Sequence, residues 1–309
     1  MELAASQLLR ALRGRRSQRA FARRLGYRAN PITDWEHGRR YPTAEETLRA
    51  AARVGKDVAN AFERFTPRVL LQPKAAGFAL GDWLARLAGN SSIAALARST
   101  GHSRGSIARW LSGHTQPRLP DFLRLVDALT GRTPELVAEL VPISEVPALA
   151  ARYEVMAAAK RVAFDEPWSE ALLRLLELED PGTLSTERFA ARLDISVEET
   201  ARCLDALTRA RVVTREHGRY RTRPLSVDTS TDPLAMRRLR HHWAKVASLR
   251  ALAPKPEDWL AYNVISCNEA DLERIRELLT ATFRELRAIV AASEPPQAAA
   301  LINMHLVRW

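Results

Sequence analysis

The sequence predicts a mainly α-helical chain folded as several compact units, with a small α/β unit at the C-terminal end. Three observations carry that expectation. Apolar residues recur at three- and four-residue spacing along most of the chain, which is the helical period. The pattern of residues 17–42 returns 75 positions later, so an internal repeat builds the first half. Runs that read as strands, VVTREHGRYRTR, WLAYNVISC and AALINMHLV, all lie from residue 212 onward.

With 309 residues and 34.6 kDa the chain can bury about two to four separate cores. We expect them in residues 1–75, 76–141, 142–228 and 229–309. The formal net charge of +11 points to a polyanionic partner, and its distribution says where that partner binds. Residues 1–75 hold 16 Lys+Arg against 7 Asp+Glu, residues 76–141 hold 7 against 5, and residues 142–309 hold 24 against 24. The excess sits on the first unit. Cys203 and Cys267 stand far apart without a CxxC or Cys/His cluster, which suggests neither a disulfide framework nor a zinc site and points to a reducing cytosol. No apolar run approaches the ~18 residues of a membrane span, and the N-terminus enters an amphipathic helix without a signal-peptide pattern. A cytoplasmic protein with no membrane partner is expected.

Residues 2–13 place Leu3, Leu8, Leu9 and Leu12 on one face of a first helix, and Arg15 with Arg16 fills the turn after it. Ser17 is an N-cap for a second helix in which Ala20, Phe21 and Leu25 recur, and Gly26 supplies the left-handed residue that ends it. A third helix is expected from near Asn30, with Pro31 in its first turn and Ile32 and Trp35 as its inner stripe. Arg28, Ala29, Asn30, Thr33 and Asp34 then point outward. Thr43 caps a further helix bearing Leu48, Ala51, Ala52 and Val54.

Adding 75 to the positions of this stretch pairs Ala22 with Ala97, Gly26 with Gly101, Ile32 with Ile107, Trp35 with Trp110, Gly38 with Gly113, Pro42 with Pro117 and Leu48 with Leu123. The second copy keeps the scaffold but replaces Gln18 with Ile93, Asn30 with Gly105 and Glu36 with Leu111.

The pattern S-Q-x-x-F-A-x-x-L-G-Y-x-x-N-x-I-x-x-W-E-x-G-x-x-x-P over Ser17–Pro42 closely resembles the helix-turn-helix of the phage-repressor family of bacterial regulators, the Cro, lambda-repressor and xenobiotic-response-element type. The resemblance implies that the third helix enters a major groove of double-stranded DNA. Arg28, Ala29, Asn30, Thr33 and Asp34 would then read base edges, while Arg15, Arg16, Ser17, Gln18, Arg39 and Arg40 hold phosphates. An Asn amide pairs bidentately with adenine. The second copy offers Ser103, Arg104, Ser106 and Arg109 on its outer face. It either reads bases, touches phosphates alone, or serves as a packing partner.

Prolines 142, 147 and 167 flank an Ala-rich stretch that reads as a connector. Beyond it a helix from Trp168 to Leu178, the stretch STERFAARLDISVEETARCLDALTRARVV and a Gly-centred hairpin describe a winged helix, with Arg215, Arg219 and Arg221 as wing candidates beside Arg211 and Arg223. Val197, Glu198, Glu199 and Thr200 are a poor face to offer DNA, so the wing either contacts phosphate or belongs to a domain kept for assembly. Asp232 and Pro233 start a helix that stops before Pro254. Asn268 caps another, whose Leu272, Ile275, Leu279, Phe283, Leu286 and Val290 form one stripe between the last two expected strands. Two strands are marginal alone, so the sheet needs a partner, and a homodimer through residues 142–309 supplies one. The order of these elements resembles bacterial regulators with an uncharacterised C-terminal domain.

Glycine-rich phosphate loops, nucleophile elbows and HExxH spacings are absent from the sequence, and His241 with His242 would point about 100 degrees apart on a helix. We therefore expect neither a metal, a cofactor nor an enzyme. The sequence leaves two readings: a sequence-specific, dimeric DNA-binding transcription regulator, or an antitoxin-like interaction module that uses helix-turn-helix folds as protein surfaces. The basic first unit favours the former.

Overall fold

The structure is a computed structural model that describes residues 1–66, 80–89, 91–178, 185–216, 219–222, 232–293 and 295–309. Mainly α, it has sixteen α-helices and one two-stranded sheet among the described residues. Two compact units account for them, one built on Met1–Ala157 and the other on Ala158–Pro224 and Asp232–Trp309. The expected boundaries at 75/76 and 228/229 lie outside the described residues.

In the first unit, α1 (Glu2–Arg13), α2 (Gln18–Arg24), α3 (Ile32–Glu36), α4 (Ala44–Arg53) and α5 (Val58–Phe65) form one bundle. A second bundle follows the same order in α6 (Leu80–Ala88), α7 (Ile93–Thr100), α8 (Arg104–Leu111), α9 (Leu119–Thr130) and α10 (Thr133–Leu140). The caps explain the boundaries. Ser17 Oγ accepts from the Ala20 N–H at 3.2 Å, and Ser92, 75 residues on, accepts from Ala95 at 3.4 Å. Thr43 and Glu46 close a reciprocal capping box on α4. Gly26 and Gly101 both adopt positive φ, at 86° and 73°, where a side chain would be strained.

Two expectations need correction. Leu3 is exposed, because it lies about 140 degrees round the helix from Leu8; Ala4 and Ala5 join Leu8, Leu9 and Leu12 on the buried face instead. Helix α3 begins at Ile32, with Pro31 as its N-cap, two residues later than Asn30. Proline disfavours helical backbone in the residue before it, so Asn30 stays outside.

Trp35 and Trp110 are buried, as a core role requires. Each meets an aromatic ring from the turn before it at a steep angle: Tyr27 at 5.5 Å and 89°, His102 at 4.8 Å and 74°. On α6, Gly81 permits a close approach to the turn after α8, since a Cβ there would lie 2.8 Å from Gly113 Cα. A single core runs through both bundles and takes in Val146 and Leu149, which follow α10. At its centre Trp83 stacks edge-on against Phe62 at 4.7 Å and donates its indole N–H to Thr66 Oγ1 at 3.1 Å. The division between units falls inside α11 (Pro147–Asp165).

The second unit contains α12 (Trp168–Leu178), α13 (Thr186–Leu193), α14 (Val197–Arg209), the antiparallel pair β1 (Val213–Glu216) and β2 (Arg219–Thr222), α15 (Pro233–Leu252) and α16 (Glu269–Ala292). Asp194 takes the left-handed conformation between α13 and α14, and Phe189, Leu172, Cys203, Leu204, Leu207 and Val213 are buried. Asp232 and Asn268 cap α15 and α16 through their side chains. The runs WLAYNVISC and AALINMHLV, expected as strands, form no ladder, and Trp259, Tyr262, Val264, Ile302 and Trp309 stand exposed. An apolar run has strand propensity, but only a partner strand can turn it into a sheet. Of the α16 stripe, Leu272, Ile275, Leu279 and Leu286 are half-buried while Phe283 and Val290 are exposed.

Candidate nucleic-acid interface

Helices α2 and α3 and the turns around them carry the densest exposed cationic surface of the first bundle. Arg15, Arg16, Ser17, Arg19, Arg23, Arg28, Ala29, Arg39 and Arg40 are exposed there, while Gln18, Asn30, Thr33 and Asp34 are half-buried. Arg19 and Arg23, on the outer side of α2, belong to this surface although the motif does not single them out.

Beneath it runs a chain of polar contacts that joins α1, α2 and α3. Arg13 donates to the buried Glu36 carboxylate through Nε at 2.5 Å and Nη2 at 3.2 Å, and Arg10 Nε lies 4.0 Å away. Gln18 Nε2 donates to Glu36 Oε2 at 2.9 Å, Thr33 Oγ1 donates to Gln18 Oε1 at 2.8 Å, and Asn30 Nδ2 donates to Thr33 Oγ1 at 3.0 Å. Burial pushes the Glu36 carboxyl up; hydrogen bonds from Arg13 and Gln18 and the charges of Arg13 and Arg10 outweigh it and hold the group below its ordinary value. The chain locks α3 against α2 and commits both amide atoms of Gln18 to the interior. Asn30 Oδ1 is buried with no donor among the described residues.

Asp34 is similarly engaged. Its Oδ1 accepts from Arg39 Nε at 2.7 Å, and its carbonyl accepts the Arg39 N–H at 3.0 Å, so these two residues form one local turn. Arg13 and Glu36 are the participants that motif reading passed over. Comparison of the two copies is the signal that finds them, because all five positions of the chain change together. Arg13, Gln18, Asn30, Thr33 and Glu36 correspond to Ala88, Ile93, Gly105, Ala108 and Leu111. In the second bundle these positions carry no polar chain: Ala88 is buried, Ala108 and Leu111 are half-buried, and Ile93 and Gly105 are exposed.

On the second bundle Ser103, Arg104 and Arg109 are exposed and Ser106 is half-buried. Ser103 Oγ caps α8, accepting from the Ser106 N–H at 3.1 Å, with the two hydroxyls 3.0 Å apart. Arg104 and Arg109 occupy the positions of Ala29 and Asp34, so the two outer faces differ in charge where they correspond.

In the second unit the ladder pairs Arg215 with Tyr220, Thr214 with Arg221 and Glu216 with Arg219. That register puts Arg215 and Arg221 on opposite faces of the hairpin, and Arg215 sits over the Tyr220 ring at 5.6 Å. The hairpin turn and Arg223 lie outside the described residues. Helix α14 opens with Glu198 and Glu199, and Glu199 pairs with Arg202 at 3.6 Å. His242 packs edge-on against Trp168 and Trp243, and burial lowers its pKa. Among the described residues no group of His, Cys, Asp or Glu is arranged to hold a metal ion, and no helix is long and apolar enough to cross a membrane.

Two family profiles match the chain. One, described as Helix-turn-helix, covers residues 84–136, from α6 into α10, and makes this a DNA-binding helix-turn-helix protein. The match falls on the second bundle, whereas the positive charge concentrates on the first. No curated protein and no solved structure matches the chain. The other profile covers residues 151–308, half of the sequence, and the chain therefore belongs to the family described as Domain of unknown function (DUF4423).

Proposed function

We propose that this protein is a bacterial, cytoplasmic transcription regulator that acts by occupying a specific double-stranded DNA site and not by catalysis. The observation that carries the reading is the exposed arginine surface around α2 and α3, set on a scaffold of helix-turn-helix type. Helix α3 enters the major groove, Arg28, Ala29, Asn30, Thr33 and Asp34 face base edges, and Arg15, Arg16, Ser17, Arg39 and Arg40 fix the register on phosphates. Gln18 contributes from behind, through Thr33. The second bundle is a further unit of the same type in tandem, and α12–α14 with the β1–β2 hairpin form a winged helix.

Assembly is assigned to residues 142–309. Their charge is balanced, and the exposed apolar segments around Trp259–Ile265 and Leu301–Trp309 are the surface a second copy would cover. Light scattering of the full chain should give a dimer or larger mass; a monomer at high concentration removes this part of the proposal. For DNA binding, the test is electrophoretic mobility with duplexes selected from a random pool. Retardation that weakens steeply with salt is expected. No retardation of any duplex would refute the reading.

A further inference from the structure

Several contacts between the two bundles of the first unit join a residue or bond to its own counterpart. The Ala44 N–H donates to the Pro117 carbonyl at 2.9 Å, and the Leu119 N–H donates to the Pro42 carbonyl at 2.9 Å. Under the offset of 75, Ala44 corresponds to Leu119 and Pro42 to Pro117, so these are one bond seen from either side. Between them Thr43 faces Arg118 in an antiparallel bridge, and those two residues are each other's counterparts. Counterparts meet again where Arg64 Nε approaches Glu139 Oε2 at 2.6 Å, and where α5 packs on α10.

Such reciprocity is the signature of a two-fold relation. In a head-to-tail repeat unlike surfaces would meet, and no residue would touch its own counterpart. Two self-pairs, Thr43/Arg118 and Arg64/Glu139, place a pseudo-dyad between the bundles. The shared aromatic core of Phe62, Phe65, Trp83 and Phe122 makes the arrangement a folded unit and not a passing contact. The axis passes beside the segments that leave α3 and α8, so the two helices are related by it.

We propose that the two bundles of one chain are the two halves of a single DNA reader, so that one chain occupies a duplex site made of two inverted half-sites. Duplex DNA has the matching two-fold symmetry, which is why a two-fold protein reads a palindrome. The halves are unequal. Arg28, Ala29, Asn30 and Asp34 on one side correspond to Ser103, Arg104, Gly105 and Arg109 on the other, so the site is an imperfect palindrome with different bases preferred at symmetric positions. This rests on the DNA-binding reading above. A chain dimer through the second unit would carry two such readers, with the ratio of chains to duplexes unchanged.

The test uses the full-length chain and a duplex selected from a random pool, titrated at concentrations far above the dissociation constant, with a footprint of the bound strand pair. One chain per duplex and a single protected stretch containing two inverted, unequal half-sites are expected. Two chains per duplex, or protection of one half-site alone, overturns the inference while leaving DNA binding intact. Absence of binding to any duplex instead defeats the DNA-binding reading. A second variant tests the arrangement itself. Thr43 and Arg118 form a non-hydrogen-bonded antiparallel pair, a class with Cα atoms about 4.5 Å apart, within disulfide range. Thr43→Cys with Arg118→Cys, in a Cys267→Ser background, should bind the selected duplex equally well oxidised and reduced. Loss of binding on oxidation, with an unchanged circular dichroism spectrum, means that the bundles must part from this arrangement to engage DNA.

Discussion

Arg13 and Glu36 meet at 2.5 Å across the interface of α1 and α3, and their counterparts in the second bundle are Ala88 and Leu111. The charged chain is thus particular to the first bundle, since the corresponding positions of the second are Ala88, Ile93, Gly105, Ala108 and Leu111. Removing one member of the charged chain strands the others. Glu36→Ala should destabilise the first bundle by about 2 kcal/mol, because Arg13 and Gln18 lose their acceptor. Exchanging all five residues for their second-copy equivalents should cost less than the sum of the single changes. Denaturant unfolding checks both, and strict additivity would mean the chain is not one unit. Because the Glu36 pKa is depressed in the fold, its contribution is complete above the unfolded value and is lost as pH falls through the folded one. The wild type should therefore lose stability below about pH 4.5 by a margin that Glu36→Gln lacks.

Asn30 holds Thr33 from the turn just before α3. Asn30→Ala is expected to weaken specific DNA binding by about 1–3 kcal/mol, the scale of one good base contact, while nonspecific binding stays level. Competition titrations with selected and scrambled duplexes measure the two separately. An equal fall in both, or none, removes Asn30 from the readers.

Charge ranks the two bundles. Each phosphate neutralised contributes about 0.9 to the slope of log affinity against log salt. Removing Arg15 and Arg16 should flatten that slope, whereas removing Arg104 and Arg109 should have the smaller effect on affinity. If the second pair abolishes binding and the first is silent, the second bundle is the principal reader.

The two thiols should differ in reactivity. Cys203 is buried on α14; burial first, then the charges of Glu166 and Glu199, push its thiol up to about 12, so almost no thiolate forms at neutral pH. Cys267 is exposed. A chromogenic disulfide reagent should titrate one thiol in the native chain and two after denaturation. Two fast thiols in the native chain would show that α14 opens readily.

Local rules suffice for much of this molecule. Ser17, Ser92, Thr43, Asp232 and Asn268 announce helix starts because capping is a contact among neighbours in sequence, and Gly26 and Gly101 announce ends because only glycine takes that backbone without strain. The helix order of the two bundles was legible too, since the same apolar spacing recurs 75 residues on. Other features depend on distant groups. That Glu36 is buried depends on Arg13 and Gln18 arriving from two other helices, and an isolated W-E pair carries no mark of it. The runs at 259–267 and 299–307 have the composition of strands, but a ladder requires a second edge that sequence does not supply. Most of all, the repeat states that there are two bundles and nothing about how they meet. The pairing of Thr43 with Arg118 and of Arg64 with Glu139 arises from burying one aromatic core between two copies, a long-range choice that only the tertiary structure makes.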